Sequence, residues 1–127
     1  MKRYKSIMLI DDDDIMNYLH VIHLQDASLA DEIIIEESSV KALDKLLNGE
    51  VKPEVIFLDI NMPKMNGWEF LEQYSKKFKP EDIQIVIVSA SIRPQDREKA
   101  VDHPYVIDFV EKPMDDAIIE DLRRYIL

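Results

Sequence analysis

Five residues at the ends of apolar runs carry most of the chemistry this chain can offer. IMLI (7–10) stops at Asp11 and Asp12, VIFL (55–58) at Asp59, and IVIV (85–88) at Ser89; the run ending in FVE (109–111) is followed by Lys112. If Asp11, Asp12 and Asp59 converge within about 5 Å, each ionised pair repels by about 3 kcal/mol at an effective dielectric near 20. Such a cluster must take up protons or bind a cation. An all-oxygen donor set without His or Cys favours a hard ion, Mg²⁺ or Mn²⁺. A hard dication beside an ammonium and a hydroxyl supplies the parts for phosphoryl transfer. One carboxylate could itself be the nucleophile, forming an aspartyl phosphate.

These residues need elements to bring them together. Strands are expected at 6–10, 54–58, 83–89 and 105–110, with a weaker one at 32–37. The runs at 7–10, 55–58 and 85–88 are almost continuously apolar, as strands buried on both faces of a parallel sheet are. Segments of helical period lie between them. Ile15, Leu19 and Ile22 share a face, as do Val40, Leu43 and Leu47; Leu71, Tyr74 and Phe78; and Ile118, Leu122 and Ile126. Ser38 or Ser39 suits an N-cap, Gly49 follows a helix end, and Pro94 suits a first helical turn. Asp13 and Asp14 fall at the start of the first helix, where carboxylates cap amides and complement the dipole. Strand–helix repeated five times gives an α/β fold, a three-layer α/β/α sandwich around a five-stranded parallel sheet. In such sheets ligands bind outside the carboxyl ends of the strands, where the five residues fall.

Composition narrows the function. The 127 residues suit a single domain spanning 1–127. A net charge of −10, with basic clusters only at the N-terminus and Arg123–Arg124, argues against direct binding to nucleic acid or an anionic membrane. No apolar run approaches the roughly 20 residues of a membrane helix. The chain has no cysteine, which excludes disulfides and thiolate metal sites and fits a cytoplasmic location. With only Gly49 and Gly67, no glycine-rich nucleotide loop can form.

IDDDD, LDINMPKMNG, VSAS and FVEKP, in this order and spacing, resemble the receiver domains of two-component response regulators, over roughly residues 5 to 126. The resemblance implies the flavodoxin-like, CheY-like fold with strand order 2-1-3-4-5. It implies Asp59 as phosphoacceptor, with Mg²⁺ (or Mn²⁺) held by Asp11, Asp12, Asp59 and the backbone carbonyl of Asn61. Ser89 would bind a phosphoryl oxygen, Lys112 would pair with the phosphoryl group, and the Lys112–Pro113 bond would be cis. Ser89 and Phe109 would be the switch pair. Phe109 lacks the hydroxyl that a tyrosine would bring. Asn61 and Ser91 stand where the family tunes loss of the phosphoryl group. The phosphodonor would be a sensor histidine kinase or a histidine phosphotransfer protein. A face of helix 4, strand 5 and helix 5 would control a downstream protein partner. Such a protein is a phosphoacceptor rather than an enzyme acting on other substrates. The chain ends just after the fifth expected helix, so it is either a stand-alone regulator, toward which Met1 and the short tail lean, or a receiver excised from a longer protein.

Two other functions fit some of the same residues. A haloacid-dehalogenase-like phosphohydrolase would use Asp11 as nucleophile, since IDDDDI holds Asp-x-Asp after an apolar run; no further acidic motif follows the lysine. A phosphorylation-independent interaction module would keep the fold without the chemistry. Elsewhere plainer readings are preferred. Asn66–Gly67 marks a turn, and Met62, Met65 and Trp68 serve packing or a partner surface. His20 and His23 at i, i+3 are more simply packing or exposed histidines than a metal pair. His103 belongs to a loop.

Overall fold

The computed structural model describes residues 3–90 and 93–126. Five strands and five helices alternate: β1 (Tyr4–Ile10), α1 (Asp14–Asp26), β2 (Ala30–Glu36), α2 (Ser39–Leu47), β3 (Val55–Leu58), α3 (Gly67–Tyr74), β4 (Gln84–Ser89), α4 (Pro94–Asp102), β5 (Val106–Glu111) and α5 (Asp116–Ile126). All neighbouring strands are parallel, in the order β2-β1-β3-β4-β5. Each expected strand is present.

Alternation along the central strands builds two apolar layers. Ile7 and Leu9 of β1, Val55 and Phe57 of β3, and Val86 and Val88 of β4 pack with Leu24 of α1 and Ile119 and Leu122 of α5. Met8, Ile10, Ile56, Leu58, Ile85 and Ile87 point the other way, onto Ala42, Leu43 and Leu46 of α2 and Phe70, Leu71 and Tyr74 of α3. Side chains of one strand alternate between faces, so a strand covered by helices on both sides is apolar throughout.

The caps follow the expected chemistry. Asp13 is the N-cap of α1 and accepts from the Met16 amide at 3.0 Å. Ser38, rather than Ser39, caps α2. Pro94 opens α4. Asn66 does more than mark a turn: it and Glu69 form a reciprocal capping box on α3.

The helix faces need correction. On α1, Ile15 is 78% exposed and Ile22 is exposed, whereas Asn17, His20 and Leu24 are buried. The inward face of α1 is therefore partly polar, because it meets loop backbone that offers hydrogen-bond partners. On α2, Val40 and Leu47 lie outside, and Ala42, Leu43 and Leu46 face the sheet. Phe78 lies beyond the end of α3 and stacks on Tyr74 with ring centroids 4.5 Å apart. Leu122 is buried as expected; Ser91 and the side chain of Ile126 lie outside the described residues.

Candidate functional site

The site lies at the carboxyl ends of β1, β3, β4 and β5. Backbone pairing continues past β1 and β3: the Asp11 amide donates to the Glu36 carbonyl and the Asp59 amide to the Ile10 carbonyl. Asp11 and Asp59 are thereby fixed side by side. Carboxylate oxygens of Asp11, Asp12 and Asp59 all lie within 4.8 Å of one another. Asp11 and Asp59 are buried and Asp12 is exposed, so the cluster opens to solvent on the Asp12 side.

Lys112 follows β5 and reaches back into this cluster. Its Nζ stands 2.6 Å from Asp11 Oδ2 and 3.5 Å from Asp59 Oδ2. Its backbone amide donates to the Ser89 carbonyl at 2.8 Å, and the Lys112–Pro113 bond is cis, as expected. Asn61 bridges the remaining residues. Its amide donates to Asp59 Oδ1 at 3.1 Å, and its Nδ2 stands 3.5 Å from the buried Ser89 Oγ. Asp11, Asp12, Asp59, Asn61, Ser89 and Lys112 thus share one pocket. Phe109 stands apart from the acids, on β5, partly buried against the α2–α3 apolar layer.

The electrostatics follow from burial and excess charge. Burial pushes the Asp59 carboxyl up to about 6, and the Asp11 charge adds to this, against the Asn61 amide and Lys112. Burial acts to lower the pKa of Lys112, but its bonds to Asp11 and Asp59 outweigh it and hold the ammonium charged. One ammonium cannot neutralise three carboxylates. The donor set therefore fits a small hard dication at the solvent-facing side.

Gly67 sets the distance between α3 and the strand end. A Cβ there would lie 2.7 Å from Ile60 Cα and 2.9 Å from the Asp59 carbonyl oxygen. The turn read at Asn66–Gly67 thus brings the start of α3 against the backbone that carries Asp59.

Two pocket-supporting residues were not evident as such from the sequence. Asn17 Nδ2 donates to the Asp11 carbonyl at 2.9 Å, and the Met114 amide donates to His20 Nε2 at 3.0 Å. His23 pairs Nδ1 with Asp116 at 2.8 Å. His20 Nε2 accepts from an amide and its other nitrogen then carries the proton, so neither is open to a metal and the two histidines do not form a ligand pair. The only available sequence signal for Asn17 was a polar side chain on the first helix beside an acidic turn.

An acidic, lysine-bearing cluster at the strand carboxyl ends of a parallel sheet covered by helices on both faces places the chain in the class of doubly wound α/β proteins. Within that class the chain belongs to the response regulator receiver domain family, whose model matches residues 7–123. It is similar to the crystal structure of a two-component response regulator from Cytophaga hutchinsonii, with a TM-score of 0.86 and 30% identity over 97% of this chain and 96% of that one. A response regulator receiver protein from Dyadobacter fermentans superposes with a TM-score of 0.82 at 26% identity, covering 96% and 98% of the two chains. A protein-glutamate methylesterase/protein-glutamine glutaminase of Treponema denticola is 30% identical over 84% of this chain, which spans 28% of that protein. The sensor histidine kinase CheAY of Helicobacter pylori is 29% identical over 60% of this chain, which spans 9% of it. The fold is the CheY-like one and the chain belongs with two-component signalling proteins. Family membership decides against the dehalogenase-like alternative. No helix among the described residues is long and apolar enough to cross a membrane.

Proposed function

We propose that this chain is a phosphoacceptor that takes a phosphoryl group on Asp59 from a phosphohistidine or a small phosphodonor. The observation that carries this reading is Lys112 Nζ set between Asp11 and Asp59, at 2.6 and 3.5 Å, within the three-carboxylate cluster. An Asp59 oxygen attacks phosphorus in line, forming an O–P bond as the P–N bond to the donor imidazole breaks. The bonding pair returns to the imidazole nitrogen, which takes a proton. Asp11, Asp12, Asp59 and the Asn61 carbonyl would hold Mg²⁺, or Mn²⁺ in its place. When bound, that ion would supply charge neutralisation at the phosphoryl oxygens. Lys112 pairs with the transferred group, and the Ser89 hydroxyl donates to one of its oxygens. Water attack on the acyl phosphate resets the protein.

The new charge is read out by the elements next to it. Ser89 precedes α4, and Lys112 closes β5 before α5. Movement of Ser89 toward the phosphoryl group, with Phe109 turning inward, changes the α4–β5–α5 face and so its fit to a downstream protein. The donor is a sensor histidine kinase or histidine phosphotransfer protein. The chain catalyses only its own phosphorylation and dephosphorylation, in the cytoplasm. Incubation with Mg²⁺ and acetyl phosphate, followed by intact mass, tests the reading. Wild type gains one phosphoryl mass and Asp59→Asn does not. Mg²⁺ binding with no mass gain would favour the phosphorylation-independent interaction module instead.

A further inference from the structure

We infer that His20, with Asn17 one turn before it, is a positioning residue that sets where Lys112 stands against Asp11 and Asp59. The inference rests on the phosphoacceptor reading for its consequence and on the geometry of α1 for its substance. Residues three apart on a helix lie on one face. On α1 that buried face carries Asn17 and His20, each bonded to a different loop of the pocket. Asn17 Nδ2 holds the carbonyl of Asp11, at the acidic turn. His20 Nε2 accepts from the amide of Met114, two residues past Lys112. The Lys112 amide is bonded to the Ser89 carbonyl, so the lysine's backbone is held on both sides, by β4 and by α1.

A single rigid element thus spans the acid turn and the lysine loop. A core-filling role for His20 would be met equally by an apolar side chain of similar size. The hydrogen bond argues against that, because a buried amide left without an acceptor is costly. Burial, outweighing the charge of nearby Asp11, holds the His20 imidazole down to about 4, so the ring is neutral and Nε2 is free to accept. Nδ1 then carries the proton. Met114 itself is fully buried against the α1–α5 layer, so the loop has little room to shift while His20 grips it.

The test compares wild type, His20→Leu and His20→Gln as full chains. Phosphoryl uptake from acetyl phosphate with Mg²⁺ is followed by intact mass, and Mg²⁺ affinity by calorimetry. The Lys112 ammonium and the His20 tautomer are followed by ¹⁵N NMR without phosphodonor. His20→Leu should slow uptake roughly tenfold, as expected for a displaced charge-stabilising group, and shift the Lys112 resonance. Mg²⁺ affinity should be undiminished, since the carboxylates stay in place. His20→Gln, whose Oε1 can accept from Met114, should recover most of the rate and the resonance. The wild-type ring should be the Nδ1-protonated tautomer.

Uptake and Lys112 resonance unchanged in His20→Leu would overturn the inference. So would a slow His20→Gln that melts like wild type, or joint loss of uptake and Mg²⁺ affinity. Should the leucine variant not fold, an Nε2-protonated ring in the wild type would be decisive against it, and the Nδ1-protonated form with a competent His20→Gln would support it. A wild type that takes up no phosphoryl group, while the Lys112 resonance still shifts in His20→Leu and returns in His20→Gln, would sink the phosphoacceptor reading and leave the positioning role standing.

Discussion

Replacing Asp59 with Asn should make the metal-free protein more stable. The three carboxylates lie within 4.8 Å of one another, and two full charges at that separation repel by about 3 kcal/mol at an effective dielectric near 20. Lys112 offsets part of this, but it stands nearer to Asp11 than to Asp59. The net balance is unfavourable to charge: burial, then Asp11, raise Asp59 from an ordinary 3.8 to about 6. A shift of that size, in which the attraction of Lys112 is already included, corresponds to about 3 kcal/mol between protonation states, and Asn reproduces the neutral carboxyl only in part, so a gain on the order of 1–3 kcal/mol is expected near neutral pH. The sign follows from linkage. A carboxyl whose folded pKa is raised favours the native state fully below its unfolded value, and that contribution is lost as pH rises through about 6. The stability gap between Asp59→Asn and wild type should therefore be small below about pH 4 and full above about pH 6. Urea unfolding in the presence of a chelator measures it. Adding Mg²⁺ should close the gap, by stabilising the wild type more. A variant less stable than wild type at neutral pH without metal, or a gap independent of pH, would refute the reasoning.

Other expectations follow from the same contacts. Lys112→Met should slow phosphoryl uptake by roughly 10²–10³-fold, the usual cost of removing one preorganised charge-stabilising group, read by intact mass against time. Gly67→Ala should destabilise the fold by about 1–3 kcal/mol in a denaturant melt, because the added Cβ meets the Ile60 and Asp59 backbone. His20 contributes stability that is complete above its unfolded pKa near 6.5 and is lost as pH falls toward its folded value of about 4. The stability of wild type relative to His20→Gln should therefore fall by roughly 2–3 kcal/mol across that window, and a flat difference would contradict the buried neutral ring.

The strand ends were the most legible part of the sequence. Each central strand is apolar because both faces are covered, so the first polar residue after it marks the sheet edge: Asp11, Asp59, Ser89. Charge then supplied the chemistry without any knowledge of packing. Helix faces were less legible where the inward face is polar. On α1, Ile15 and Ile22 have the spacing of a core stripe, yet the helix turns Asn17 and His20 inward. Their partners, the Asp11 carbonyl and the Met114 amide, are backbone groups, and Met114 lies 94 residues from His20 in the chain. Backbone partners leave no mark on side-chain periodicity, so only the fold reveals them. Trp68 packs against the core as read, but its side-chain partner was likewise hidden. Its Nε1 donates to Asp96 at 3.3 Å, a bond that joins α3 to the start of α4, and that buried carboxylate is also paired with Arg93.

The most direct measurement locates the phosphoryl group. After phosphorylation with acetyl phosphate and Mg²⁺, borohydride converts an acyl phosphate of aspartate to homoserine, and peptide sequencing by mass spectrometry finds the changed residue. Conversion at position 59 alone is expected. Conversion at position 11 or 12, or at none, would contradict the account.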